Sequence, residues 1–458
     1  MSKAALKSLP VLMHHYIGDV PGGTVVSPQV FEEQCRVLAE HGWFGVGLAE
    51  AEEFLLRGEP LPPKSFLITF DDGYLDNYVH AWPILRKYGH KAVIFAVADR
   101  VSAASVKKYK SKSPGRADRT GKTDNPEQAD HNKPVYGHPA KPSLTRASGV
   151  LRAPRPERGR QGMNPRRPGL RYTLDDVWNG LCRPEDLPPV NSPMQPVLFP
   201  LPDLPEREKE GRAVCSSTFY SPYETREDLF FNWEEARAME ASGVISVAAH
   251  SMSHTSVFSA PLYSDFFKPE ETQRTFWQSW PYMRWGMPRF KQCSEFRDNV
   301  FLPSDELLQA VQNIVPQQED QAYEFFRQSE NVSRLRAAVA EVERNPRCGL
   351  GSFEGPEAML KRMRAIMLRN RAVLARELGH SVRSFCWPWG TFSIEALKMG
   401  LEAGFEVFYA AEPGLNLPGG ARCVQRFKVR NKSGRWLLNR LRLYSRPGLG
   451  GLYLKMRI

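Results

Sequence analysis

The stretch that decides the fold is Phe66-Leu67-Ile68-Thr69-Phe70-Asp71-Asp72-Gly73-Tyr74. Its apolar and β-branched residues predict a buried strand. Side chains alternate along a strand, and an unpaired carboxylate is not tolerated in a core, so we expect Asp71 and Asp72 at the rim of a sheet or barrel. Gly73 lets the chain turn away at once. Two adjacent carboxylates at a rim favour a bound cation.

A second strand pattern ends in candidate ligands. Gly243 to Ala249 is apolar and is followed by His250-Ser251-Met252-Ser253-His254. Residues four apart, on a helical turn or in a loop, can direct two imidazoles to one ion. With one carboxylate they make a three-ligand site that leaves positions open for water, which is typical of catalysis. The alternative is that an aspartate caps the next helix and the histidines are ordinary surface residues.

A third pattern is the strand Val382 to Cys386 followed by Trp387-Pro388-Trp389-Gly390. Aromatic residues beside a proline and a glycine predict a rigid apolar wall. Together, the Thr-Phe-Asp-Asp-Gly strand end, the His-Ser-x-x-His step and the later Pro-aromatic-Gly loop resemble the polysaccharide deacetylases, the NodB-homology carbohydrate esterases, in the family's order. Further blocks, such as the opening strand Val11 to Tyr16, extend the resemblance to roughly half of the chain.

The resemblance implies an α/β fold: a distorted (β/α) barrel of about seven parallel strands with two large insertions. It also implies one divalent metal ion, zinc first, with nickel, cobalt or iron as alternatives. Spacing alone does not order the two aspartates. The family pattern assigns the metal ligands as Asp72, His250 and His254 and the base as Asp71. From its position just past the turn, we predict the backbone N–H of Tyr74 as a second oxyanion donor. The predicted substrate wall is Trp387, Pro388 and Trp389.

The general acid is where the chain departs from the family pattern. Relatives use a histidine of a late Leu-x-x-His motif as the acid, and an arginine of the Pro-aromatic loop orients the base. No such histidine follows Trp389 here, and Cys386 stands in the position of that arginine. Arg383 lies three residues earlier. His14 or His15, at the end of the first strand, is the candidate acid or base-orienting group, and we select His15 as the catalytic residue.

Composition indicates the compartment and the partners. The 458-residue chain has a net charge of +11, of which residues 111–170 carry +8, from 13 Lys or Arg against 5 Asp or Glu. This arm has few interleaved aromatics, so nucleic acid is not an expected partner. Seven scattered cysteines fit reduced thiols, and the start of the sequence shows no signal-peptide pattern. We therefore expect a cytoplasmic protein, peripheral to the inner face of the membrane if its basic amphipathic tail contacts anionic lipid.

Breaks in the hydrophobic pattern predict the order of segments along the chain. The barrel is split by a basic, proline-rich insertion and by an aromatic and helical one. The predicted segments are 1–104 (first part of the barrel), 105–232 (basic insertion and flap), 233–257 (barrel segment with the two histidines), 258–345 (aromatic and helical insertion), 346–435 (last part of the barrel) and 436–458 (basic tail).

The predicted function is that of a metal-dependent hydrolase acting on non-peptide C–N bonds. It would remove N-acetyl groups from a glycan or a lipid-linked amino sugar in surface polysaccharide biosynthesis. Two alternatives remain open at this point. One is a non-catalytic adaptor on a deacetylase scaffold, and the other is a hydrolase of a non-sugar amide or imide bond.

Overall fold

The structure is a computed structural model and describes residues 5–18, 22–101, 230–269, 284–420 and 422–457. All of them belong to one compact unit formed by Met1–Ser105 and Arg171–Ile458. Nearly all of the predicted basic insertion, 105–232, lies outside the described residues. So do residues 270–283, with several aromatics of the second insertion.

The unit is built on a sheet of nine strands whose neighbours all run parallel. These nine strands are β1 (Val11–His14), β4 (Phe44–Gly45), β5 (Ser65–Asp72), β6 (Ala92–Ala96), β7 (Ile245–Ala249), β12 (Ser384–Cys386), β13 (Val407–Tyr409), β14 (Cys423–Val424) and β15 (Phe427–Lys428). Their order in the sheet is β14-β13-β12-β7-β6-β5-β1-β15, and β4 pairs with the start of β5.

Helices cover the sheet and link its strands. A short π-helix, Asn77–Ala81, follows the Asp-Asp-Gly turn and runs into α3. The α-helices are α1 (Pro28–Glu40), α2 (Leu48–Arg57), α3 (Trp82–Tyr88), α4 (Trp233–Ala241), α5 (Asp305–Ile314), α6 (Glu319–Phe326), α7 (Ser329–Arg344), α8 (Pro356–Leu378), α9 (Ile394–Glu402), α10 (Gly434–Tyr444) and α11 (Pro447–Arg457).

The predicted α/β fold is confirmed, and the sheet forms a half-barrel. In the described residues β14 and β15, the two ends of the order, are not paired with each other. The sheet has nine strands rather than about seven. The additional ones escape a pattern-based prediction because β4, β14 and β15 are only two residues long, which is too short to show a hydrophobic period.

Two apolar layers sandwich the sheet, and the alternation of side chains decides which layer a residue joins. Along β5, Ile68 and Phe70 belong to the large cluster under the helices. Leu67 points to the opposite side, into the smaller cluster inside the half-barrel. Asp71 has the same parity as Leu67, so it continues the inward-facing row to the carboxyl end of the strand. This parity positions the candidate site.

The second insertion has a hydrophobic core of its own. It begins with β8 (Ser256–Ala260), which pairs antiparallel with β9 (Lys291–Ser294). It continues through β10 (Phe301–Pro303) and helices α5 to α7, and ends with β11 (Gly351–Phe353). The structure therefore begins it slightly earlier, and ends it slightly later, than the predicted 258–345. The small remaining pair is β2 (Tyr16–Ile17) with β3 (Val25–Val26).

The chain continues after the sheet in two helices. Helix α10 packs on α1, where Gly434 lies so close to Val37 that a Cβ would meet its side chain at 2.8 Å. Helix α11 packs on α10. Among the described residues no helix combines the length and the hydropathy needed to cross a bilayer.

Candidate active site

Asp71 is held by a buried arginine from the link between the two end strands of the sheet. Arg426, between β14 and β15, donates from its two terminal nitrogens to the two carboxylate oxygens at 2.6 and 2.9 Å. Its Nε donates to the Ala410 carbonyl at 2.7 Å, and one terminal nitrogen also reaches the Thr69 hydroxyl at 3.0 Å. Because both partners are almost completely buried, this bidentate pair fixes the carboxylate in one orientation.

The clamp also sets the charge of Asp71. Burial alone raises the pKa of this carboxyl, but Arg426 first, and then His250 and His15, outweigh burial and bring the pKa below its ordinary value. Asp71 is therefore ionised at neutral pH. The thiol of Cys386 lies 3.1 Å from a guanidinium nitrogen of Arg426, and burial raises the pKa of this thiol, which keeps it protonated. Cys386 thus leaves room for the arginine without adding a second charge.

Asp72 faces two imidazoles instead. Its Oδ1 lies 3.4 Å from His250 Nε2 and 3.6 Å from His254 Nε2. All three side chains are buried, and Oδ1 makes no hydrogen bond of acceptable geometry with the described residues. Tetrahedral ligands at zinc–ligand distances of about 2.0–2.2 Å lie roughly 3.4 Å apart. The donor set and its spacing therefore fit one divalent ion.

The protonation of this group suits a metal as well. Burial lowers the pKa of His254 to about 3, despite the opposing influence of Asp72, so its imidazole is neutral. Burial raises the pKa of Asp72, but the adjacent His250 imidazole outweighs burial and brings this pKa below its ordinary value. Burial lowers the pKa of His250, but Cys386 and Asp72 raise it above its ordinary value. A metal must therefore displace a proton from His250.

Neighbouring groups orient the two imidazoles. His250 Nδ1 donates to the Cys386 carbonyl at 2.8 Å, which turns Nε2 toward Asp72. An imidazole fixed in this way by its second nitrogen is a common feature of metal sites. The two rings lie 4.8 Å apart between centroids. The backbone is unusual here, because Asp72, Ser251 and His254 all have positive φ, at 79°, 71° and 51°.

The second insertion holds this strained loop in place. Glu295, next to the end of β9 and 3% exposed, accepts a hydrogen bond from the Ser251 hydroxyl at 2.5 Å and one from the Thr255 N–H at 3.3 Å. The Ser251 hydroxyl in turn accepts from the His254 N–H at 3.2 Å. Asn370 of α8 donates to the Ser251 carbonyl at 2.6 Å. Buried contacts thus fix the His250–His254 loop from two sides.

The two candidate histidines of the first strand lie in different environments. His14 is buried against Phe31 and Phe70, with ring centroids 5.4 and 5.3 Å away. Burial lowers its pKa to about 3, so it is a neutral core residue. His15 turns to the rim, with its side chain 22% exposed and Nε2 3.9 Å from Asp71 Oδ2. Of the two, only His15 is placed to exchange a proton with a substrate.

The predicted substrate wall is reduced to one residue. Trp387 is completely buried, stacked between Phe392 and Phe408, and Pro388 is buried as well. Neither of these two predicted side chains therefore reaches the surface of the site in this structure. Trp387 shares the parity of Phe385 and points under the helices. Trp389 is 40% exposed, and its ring centroid lies 4.2 Å from that of His254.

Tyr74 follows the Asp-Asp-Gly turn directly. Its ring is buried and stacked on Tyr16, with 3.8 Å between the centroids. Burial, and then the charge of Asp72, raise its pKa well above the ordinary value, so the phenol is neutral. The side chain therefore supports the turn, and the predicted oxyanion role concerns only its backbone N–H.

Sequence reasoning missed Arg426 and Glu295. Arg426 carries a detectable signal, since it shares the parity of Val424, whose side chain lies inside the half-barrel. An inward arginine requires a buried carboxylate as its partner. Arg383, considered as a substitute, instead pairs with Glu406 at 3.0 Å and Glu53 at 3.1 Å before β12 begins. Glu295 gives no such signal, because it contacts the site only through the folded insertion.

A carboxylate pair and two histidines at the carboxyl rim of a parallel α/β half-barrel define a class of metal-assisted hydrolase sites. The model of the polysaccharide deacetylase family matches residues 58–126, and this match confirms the resemblance recognised from the motifs over that part of the chain. Proteins of this family are metal-dependent, and the hydrolases among them break the C–N bond of N-acetyl groups.

Two curated relatives match one part of the chain. YxkH of Bacillus subtilis (strain 168), which is named as a polysaccharide deacetylase, is 39% identical to this chain over 94 residues. The aligned part is 20% of this chain and 33% of the length of YxkH. The poly-β-1,6-N-acetyl-D-glucosamine N-deacetylase of Escherichia coli (strain K12) is 35% identical over 85 residues. That aligned part is 19% of this chain and 13% of the length of the Escherichia coli protein. The chain thus covers a third or less of each relative.

A solved structure extends over most of the chain at low identity. The de-N-acetylase from Aggregatibacter actinomycetemcomitans aligns with 94% of this chain and 99% of its own, with 14% identity and a TM-score of 0.47.

Proposed function

We propose that this protein is a metal-dependent hydrolase that removes N-acetyl groups from a glycan or a lipid-linked amino sugar. The observation that carries the proposal is the division of labour between two adjacent carboxylates. Asp71 is ionised and clamped by Arg426, while Asp72 Oδ1 lies 3.4 and 3.6 Å from the Nε2 atoms of His250 and His254, the spacing of two ligands of one ion. A scaffold or adaptor would need neither arrangement.

The chemistry requires a base, a polarised carbonyl and an acid. A divalent ion, zinc by our proposal, bound by Asp72, His250 and His254 would polarise the acetyl carbonyl and lower the pKa of water. Asp71 takes the proton from the attacking water, since its carboxylate is ionised and fixed. The Tyr74 N–H donates to the developing oxyanion. His15, 3.9 Å from Asp71, delivers a proton to the leaving amine.

The substrate class rests on the relatives and on the exposed aromatic at the rim. The Escherichia coli relative is named for an N-acetylglucosamine polymer, and Trp389 offers an apolar face beside His254 on which a sugar ring can stack. We therefore infer an N-acetylated glycan of surface polysaccharide biosynthesis as the substrate. We further infer a cytoplasmic location, which agrees with the free state of the five described cysteines.

Acetate release from β-1,6-linked N-acetylglucosamine oligomers, with chitin, peptidoglycan and lipopolysaccharide fragments in parallel, tests the function. We expect Asp71→Asn to slow release about 10²–10⁴-fold while metal stoichiometry is retained, since the base is lost and the three proposed metal ligands remain. His250→Ala should lose both metal and activity. Elemental analysis and acetate assays measure the two effects, and Glu59→Gln, an exposed carboxylate change, is the control.

Two outcomes would contradict the proposal. Undiminished acetate release by a folded Asp71→Asn variant would remove the mechanism. A fully metal-loaded wild-type protein that releases no acetate from any of these fragments would remove the deacetylase function.

A further inference from the structure

The end of the chain is strongly basic. Residues 428–458 contain nine Lys or Arg and no Asp or Glu. Several of these side chains are exposed on the two terminal helices and their connections, including Arg435, Arg442, Arg446 and Lys455. The charge is therefore available at the surface and is not neutralised within its own segment. Such a surface attracts a partner with dense negative charge.

Helix α11 adds an apolar stripe to this charge. Leu449, Leu452 and Met456 are 52%, 58% and 72% exposed. Their spacing of three and four residues places them on one face of the helix. Three large apolar side chains in one exposed row differ from the isolated exposed residues expected on any protein surface.

The opposite face of α11 is anchored, so the orientation of the stripe is fixed. Gly450 packs so closely on Leu415 that a Cβ would meet its side chain at 2.7 Å. Tyr453 lies with its ring 6.2 Å from that of Tyr444, and the Arg440 guanidinium lies 4.8 Å from the centroid of the Tyr453 ring. The stripe consequently faces outward while the helix rests on α10.

From the combination of stripe and charge, we propose that α11 with the basic flank of α10 is a docking surface for a bilayer that contains anionic lipid. Apolar side chains that enter the acyl boundary, flanked by Lys and Arg at the headgroups, are the features of a helix that lies in a membrane interface. A nucleic acid or another polyanion would use the charge but leave the stripe exposed. A second copy is disfavoured, because two equally basic surfaces repel each other.

The proposal concerns a surface remote in sequence from the metal ligands and does not depend on the proposed activity. If both hold, the enzyme works on a substrate presented at a membrane, such as a lipid-linked glycan. The test below measures binding alone, so its failure leaves the deacetylase proposal standing, and failure of acetate release leaves this proposal standing.

Co-sedimentation of the full chain with lipid vesicles tests the surface. We expect binding to vesicles of phosphatidylcholine mixed with phosphatidylglycerol, weakening with added salt, and little binding to phosphatidylcholine alone. The triple variant Leu449→Ser, Leu452→Ser, Met456→Ser should bind at least about tenfold more weakly. Arg446→Glu with Lys455→Glu should also weaken binding. The matched control is Leu262→Ser, another exposed leucine at 67%, which should bind as wild type.

A second measurement guards against a folding defect. A Leu452→Trp variant in an otherwise native chain should show a blue-shifted emission with the mixed vesicles. Three results would overturn the proposal: unchanged binding by the triple variant, equal binding to both kinds of vesicle, or no binding to either. Binding to heparin that matches binding to mixed vesicles and ignores the apolar substitutions would assign the surface to a polyanion instead.

Discussion

Asp71 and Asp72 are neighbours in the chain, yet the fold gives them opposite surroundings. Asp71 continues the inward row of β5 and meets a guanidinium that satisfies both of its oxygens. Asp72 leaves the strand pattern through a positive φ and meets two imidazole nitrogens, neither of which makes a well-formed hydrogen bond to its Oδ1. One carboxylate is paired with a protein cation, and the other lies at the spacing expected of a metal ligand. The backbone of a single residue produces this difference.

Of the changes that test this difference between the two aspartates, removal of the Arg426 guanidinium should have the largest effect. Arg426→Met leaves the buried Asp71 charge uncompensated, so we expect a loss of about 3–5 kcal/mol in the free energy of unfolding at neutral pH. The control Arg383→Met breaks partly exposed ion pairs and should cost only about 0–1 kcal/mol. Denaturant unfolding measures both, and equal losses would show that Asp71 does not depend on Arg426.

The same variant predicts a change in pH dependence. In the wild type the pKa of Asp71 lies below its ordinary value, so the stability from its pairing is present at neutral pH and is lost as pH falls through that pKa. Without Arg426, the remaining effect of burial raises the pKa. The acid limb of kcat/KM should therefore move to higher pH. If the acid limb does not move in this variant, the group that titrates there is not Asp71.

We predict a smaller effect on metal binding when Glu295 of the second insertion, which supports the loop facing Asp72, is changed. Glu295→Ala removes the acceptor that fixes Ser251 and should weaken metal affinity about 10–100-fold. Glu295→Gln should restore part of it, since the amide oxygen still accepts. Chelator competition measures affinity, and Asp265→Ala, elsewhere in the insertion, is the control for general destabilisation. Unchanged affinity in a folded Glu295→Ala variant would remove Glu295 from the support of the metal loop.

The smallest effect is expected at the rim that both carboxylates share. Trp389→Ala should raise KM about 3–10-fold, the value of one aromatic stacking contact, with kcat and metal content close to wild type. Tyr323→Ala, an equally exposed aromatic in the insertion at 41%, should change neither parameter. Steady-state kinetics decide this, and a fall in kcat without a change in KM would place Trp389 in support of His254 instead.

Features that depend on the local pattern of residues could be predicted from the sequence. Strand β5, for example, follows from its run of apolar and β-branched residues. The convergence of Asp72 with the two histidines was expected because carboxyl ends of parallel strands share one rim. Arg426 was missed, and Trp387 was placed in the substrate wall, because both depend on which side of the sheet is the inside. The parity of Arg426 is informative only once the inward side of a neighbour such as Val424 is known, and short strands do not reveal that side.

The contact between Glu295 and the loop of the second histidine affects how the chain can be shortened. An engineer who excised 256–353 to obtain a minimal catalyst would keep every proposed ligand and every strand of the main sheet. The trimmed protein would nevertheless lose the group that holds Ser251 in its left-handed conformation. The second insertion and the half-barrel thus depend on each other at the candidate site, and any shortened version has to carry a replacement for that one buried acid.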